Sequence, residues 1–105
     1  MPFANPTELA LHFVKHGHKF GFVTEAEYEQ AAEQFMFGPV NADTHECTRP
    51  SGIDRLRCDY VRVHFGCACV APVFIRTYYP VKPDLVARHG SVAAFFASEC
   101  GRTNL

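Results

Sequence analysis

Apolar residues recur at helical spacing over the first forty positions and at strand spacing through the middle of the chain. Leu9, Phe13, His16 and Phe20 follow at intervals of four, three and four, which places them on one face of a helix. Asn5 stands where an N-cap is needed, Pro6 suits the first turn, and Glu8 puts negative charge at the positive end of the helix dipole. Gly17 to Gly21 supplies residues that accept the left-handed closing conformation, so the first helix is predicted to stop there. Thr24 and Glu27 form a capping box for a second helix, with Val23 and Tyr28 as its hydrophobic staple. Tyr28, Ala31, Ala32 and Phe35 make the buried stripe of that helix, Glu25, Glu29 and Glu33 face water, and Gly38-Pro39 ends it.

Residues 40 to 54 are rich in Asn, Asp, Thr, Pro, Ser and Gly without periodicity, which describes a surface connection. From Arg55 the pattern alternates: Leu56, Cys58 and Tyr60 against Arg57, Asp59 and Val61, then Val63, Phe65, Cys67, Cys69 and Val73 to Tyr79. The alternation predicts three antiparallel strands over about 55–62, 64–70 and 73–79, with Ala71-Pro72 in the last turn and a bulge near Gly66. Prolines at 80 and 83 break the sheet, and Ser91 caps a terminal helix that carries Phe95 and Phe96. The order predicts an α+β domain: N-terminal helices packed on one face of a small antiparallel sheet, with a C-terminal helix.

With 105 residues, 48% of them hydrophobic, the chain fits a single domain spanning 1–105 with one core. A formal charge of −1 gives no global attraction to polyanions, so any nucleic acid must be met by a local patch. No apolar run reaches eighteen residues and no leader pattern opens the chain, which predicts a soluble protein without an export signal and without a membrane partner. Five cysteines, an odd number without framework spacing, predict reduced thiols and a cytoplasmic setting.

The densest chemistry lies between His12 and Lys19, where three histidines and two lysines occupy eight positions. An imidazole needs little tuning to exchange a proton near neutral pH. The run Phe13-Val14-Lys15-His16 with Phe20-Gly21, then Glu27-Tyr28 and Ala31 to Phe35, Arg57-Cys58-Asp59, Phe65-Gly66 and Ile75-Arg76-Thr77-Tyr78-Tyr79-Pro80 resembles the C-terminal ribonuclease domains of contact-dependent inhibition and related bacterial polymorphic toxins, of the barnase-EndoU-colicin-RelE fold. The resemblance covers about residues 9 to 80. It implies a metal-independent endoribonuclease without cofactor, RNA (often tRNA) as substrate, and an immunity protein as partner. By the same resemblance His16 matches the helix histidine of the site, and Arg76 and Thr77 match its basic and hydroxyl positions on the last strand. The chain departs from the pattern where Pro72-Val73-Phe74 replaces a glycine turn, and where residues 84–105 extend past it.

RNA cleavage without a metal needs a group to take the 2′-hydroxyl proton, another to protonate the leaving oxygen, and a cation for the charge on phosphorus. His16 is assigned to proton transfer, Arg76 to bidentate phosphate contact and Thr77 to orienting that phosphate, with Lys15, Arg57 and Tyr79 as substrate contacts. A strict two-residue period would send Arg76 and Tyr78 to one sheet face and Thr77 and Tyr79 to the other. Two other readings compete. His12, His16, Cys67 and Cys69 offer zinc-type donors, yet the single-residue gap between the cysteines is unlike a zinc site, and buried cysteine ordinarily fills core. A non-catalytic binding module or adaptor of bacterial or phage origin fits the near-neutral charge, because Lys15, Lys19, Arg55, Arg57, Arg62 and Arg76 must otherwise gather into one basic groove.

Overall fold

A computed structural model describes residues 2–103. Helix α1 runs in three consecutive pieces: Pro6–His12, a π-helical turn over Phe13–Gly17, and His18–Phe20. The Asn5 side chain accepts from the Glu8 N–H at 2.8 Å, and Gly21 closes the helix at φ 88°, a conformation that costs a side-chain-bearing residue far more. Helix α2 spans Glu25–Phe37 with both halves of the Thr24/Glu27 capping box formed. The staple is not made: Val23 is 82% exposed. The buried stripe of α2 is Tyr28, Ala32 and Met36, with Ala31 and Phe35 packed at its margins.

Four strands follow, β1 Thr44–Thr48, β2 Asp54–Asp59, β3 His64–Val70 and β4 Val73–Pro80, antiparallel in the order β1-β2-β3-β4. β1 corrects the expected surface connection at 40–54. Its outward positions are polar because it is an edge strand, so hydrophobic alternation could not announce it. Helix α3 (Pro83–His89), absent from the sequence reading, and α4 (Val92–Cys100), capped by Ser91, complete the chain.

Helices cover both faces of the sheet, not one. Ala68, Ile75 and Tyr78 face α1 and α2, packing with Phe3, Leu9, Tyr28, Ala32 and Met36. Leu56, Cys58, Phe65 and Cys67 face α4, packing with Val81, Phe95 and Phe96. The Tyr28 hydroxyl donates to the Tyr78 carbonyl at 2.5 Å and ties α2 to β4 inside the first cluster. Beyond β4, Phe3 bridges Ile75 in parallel, and the Ile75 N–H donates to the Pro2 carbonyl.

The bulge expected near Gly66 falls between Cys67 and Ala68, with its extra residue on β4, and Gly66 itself is the close approach of α2 to β3. A Cβ there would stand 2.6 Å from Met36 Sδ and 3.0 Å from the Phe35 ring. Gly66→Ala is therefore expected to cost about 1–2 kcal/mol through overpacking, read as a lower urea midpoint at unchanged m-value.

A disulfide joins Cys47 of β1 to Cys100 at the end of α4, with Cα atoms 6.1 Å apart, which corrects the expectation that all five thiols are reduced. The odd count left that pairing unreadable, since one bridge leaves Cys58, Cys67 and Cys69 as free buried core residues. Among the described residues, no helix is long and apolar enough to cross a membrane.

Candidate functional site

The sheet irregularity that matters lies between Cys67 and Ala68, which pair with Thr77 and Ile75 and leave Arg76 as the extra residue on β4. Thr77 and Tyr79 register opposite Cys67 and Phe65, on the face that carries α4. Arg76, freed from strict alternation by the bulge, turns to the same face and gives its Nε–H to Asp54 Oδ1 at 2.8 Å. Ile75 and Tyr78 keep the opposite face and fill the core under α1 and α2. The bulge thus gathers Arg76, Thr77 and Tyr79 on one side of an edge strand.

His16 reaches that strand through the π-helical turn. One extra residue per turn rotates the side chains that follow, and such turns recur at functional positions. The His16 ring lies 5.0 Å from the Tyr79 ring and 5.9 Å from that of His12, centroid to centroid. It is 9% exposed, and its Nδ1 is sealed without a hydrogen-bond partner among the described residues. With no acceptor to receive an Nδ1 proton, nothing stabilises the imidazolium. Burial first, and then the charges of His12, Lys19, Lys15 and His18, push the His16 pKa down to about 4. His16 is therefore neutral at physiological pH and able to accept a proton. Burial, and secondarily the Glu99 carboxylate of α4, pushes the Tyr79 phenol well above its ordinary value, so it stays protonated.

The cations divide sharply. Arg55 lies 4.0 Å and Arg57 2.6 Å from Glu46, Arg62 3.6 Å from Asp59, and Arg76 2.8 Å from Asp54. Arg57 is 7% exposed and also donates to the carbonyls of Phe35 and Gly38, clamping the C-terminal end of α2 to the sheet. Arg76 is different: among the described residues only its Nε is engaged, its side chain is 39% exposed, and its guanidinium lies 5.1 Å from the Phe74 ring centroid. Lys15 and Lys19 are exposed beside His16. His16 and Tyr79 meet ring to ring, and Thr77 and Arg76 lie two and three residues back along β4 on the face of Tyr79, a group strung along one strand. Arg57 stands two strands away on β2 and outside it.

A buried charge network missed by the sequence reading supports this face. Arg49 is 5% exposed; its Nε donates to the Glu99 carbonyl and its Nη2 to Glu99 Oε1, both at 2.9 Å, and its Nη1 lies 3.7 Å from Asp54 Oδ2. Asp54 is fully buried between Arg49 and Arg76. Sequence offered no signal for it, because Arg49, Asp54, Arg76 and Glu99 meet only through tertiary packing. Cys67 and Cys69 are buried free thiols, and among the described residues no group of three or more His, Cys, Asp or Glu side chains is arranged to hold a metal. Compared with protein-family models and with curated proteins, the chain matches none.

Proposed function

We propose that this chain is a metal-independent endoribonuclease domain, with tRNA as a candidate substrate, in which neutral His16 is the proton acceptor. The observation that supports this reading best is the bulge on β4, which lets Arg76 and Thr77 share a face with Tyr79, whose ring meets that of His16. His16 Nε2, the ring nitrogen not walled off, takes the proton of the ribose 2′-hydroxyl. The 2′-oxygen then forms a bond to phosphorus as the bond to the 5′-oxygen breaks, leaving a 2′,3′-cyclic phosphate. The departing alkoxide is a stronger base than even the Tyr79 phenolate, so it takes the phenol proton, and the His16 imidazolium then gives up its proton through solvent to the phenolate, which restores both groups. The outer edge of Arg76, the Thr77 hydroxyl and Lys15 hold the charged phosphate oxygens.

The test is cleavage of an RNA pool in the presence of chelator, with 2′,3′-cyclic ends identified on the products. His16→Gln is the informative substitution because the ring is buried and alanine would open a cavity. We expect it to lower the cleavage rate at least about a hundredfold while wild-type folding is retained by circular dichroism. Because the imidazole accepts a proton only when unprotonated, the rate should fall on acidification with a midpoint near the depressed His16 value of about 4, and stay flat from there to neutrality. RNA left intact by wild-type protein sinks the enzymatic reading. The binding module then stands instead, favoured by the carboxylate partners already held by Arg55, Arg57, Arg62 and Arg76.

A further inference from the structure

On the other sheet face, at the same end of the strands, a cavity of about 410 Å³ opens between the end of α2, the loop after it and the β2–β3 turn. Phe35 and Tyr78 form its floor, and Gln34, Asn41, Arg62 and His64 its rim. The rung Thr44, Asp59, His64, Pro80 runs straight across this end of the sheet, so Asp59 on the β2 side of the cavity lies about two strand spacings, ~10 Å, from the end of β4, while Tyr78 brings the cavity floor up to β4 on the face opposite Tyr79.

The turn that lines the cavity is strained. Val63 adopts φ 60°, a left-handed conformation that a β-branched residue avoids, and strain of this kind survives only where its surroundings enforce it. Here the Val63 N–H donates to the Asp59 carbonyl, its own carbonyl accepts from Val81, and Asp59 Oδ1 accepts from the N–H groups of Val61 and Arg62 at 2.9 Å each. The outcome is a fixed presentation of Arg62 and His64 at the rim. Arg62 is 70% exposed and its 3.6 Å contact to Asp59 is longer than a hydrogen bond, so a phosphate can take it over at little cost. Gln34 carries a side-chain amide, a donor beside an acceptor, the pattern that reads the edge of a nucleobase, while Asn41, whose Oδ1 already accepts from the Asp43 N–H and the Thr44 hydroxyl at 2.9 Å each, contributes its Nδ2 donor. His64, held below its ordinary pKa mainly by burial, offers a neutral ring with one donor and one acceptor.

We propose that this cavity is a nucleobase-binding subsite that seats one nucleotide of a single-stranded RNA, its base over Phe35 and Tyr78 against the two amides and its phosphate on Arg62. The role in positioning a strand for cleavage rests on the ribonuclease reading; the binding itself does not. The aromatic floor gives general affinity for bases, and the amides give preference among them.

The test is a titration of ¹⁵N-labelled protein with each of the four ribonucleoside 3′-monophosphates, in chelator, followed by amide and side-chain shifts. At least one nucleotide should give saturable shifts centred on Gln34, Asn41 and residues 62–64. Gln34→Ala and Arg62→Ala, both at exposed positions, should each weaken binding by about fivefold. Arg88→Ala, exposed on α3 and outside the cavity lining, should leave that affinity unchanged. Absence of shifts at the cavity with all four nucleotides overturns the proposal, as does an identical pattern with inorganic phosphate alone. Nucleotide binding without RNA cleavage keeps the subsite and removes the nuclease; cleavage without binding at the cavity does the reverse.

Discussion

Replacing Cys100 by serine is expected to lower the unfolding free energy by about 4 kcal/mol, since the bridge to Cys47 closes a loop with a sequence separation of 53 and loop closure of that length carries roughly this entropy in the unfolded chain. The native contacts around the bridge point the same way. β1 is an edge strand whose other attachments include its pairing with β2, the contacts of Arg57 and Arg55 to Glu46 and the stacking of His45 on Tyr60. Without the sulfur link, α4 is anchored by Val92, Phe95 and Phe96 over its first half and by the Arg49–Glu99 contacts at its end. The measurement is a urea midpoint for Cys100→Ser, for Cys47→Ser and for the double variant. Both single variants should fall by the same amount and the double variant no further. A sum of two separate losses would show that each sulfur stabilises by packing rather than by the bond.

Asp54→Ala is expected to cost about 3 kcal/mol, the lower end for removing one partner of a buried charged pair, because Arg49 keeps Glu99 while Arg76 can turn to water. The loss should appear in chemical denaturation of protein that still folds. Arg76→Ala should cost less, since its side chain is partly solvated and Asp54 keeps Arg49 close by. The pair of variants also separates two roles of Arg76. If it holds substrate phosphate, Arg76→Ala lowers cleavage far more than its stability loss explains, whereas Asp54→Ala, which frees Arg76, lowers stability far more than cleavage. Equal and parallel losses in both variants would make Arg76 a structural cation only.

The helical half of the fold was legible because its signals are local. The capping box at Thr24 and Glu27, the Asn5 cap and the Gly21 closure each need only a few neighbouring residues, and each formed. The three strands with apolar alternation also appeared, within a few residues of their expected ends. What sequence concealed depends on distant partners. β1 has polar outward positions, the disulfide could be any of several pairs, and Arg49 to Glu99 is a contact across fifty residues. The same distinction runs through the candidate site. His16 stood out as an imidazole on an aromatic stripe, yet its lowered pKa comes from burial that only the packed ring reveals. The two-residue period argued against Arg76 and Thr77 sharing a face, and a single inserted residue reverses that argument. Arg57 carried the same charge as Arg76 in the sequence, but its three partners make it a clamp for α2.

The bridge from Phe3 to Ile75 gives the two borders of the sheet unequal openness. Next to β4, the main chain around residue 75 already spends its hydrogen bonds on the N-terminal segment, so an incoming strand finds no continuous ladder to extend. The opposite border at β1 shows charged and polar side chains, His45 and Glu46 among them, and is pinned to α4 by sulfur. Strand-by-strand polymerisation is blocked at one margin by occupancy and discouraged at the other by charge.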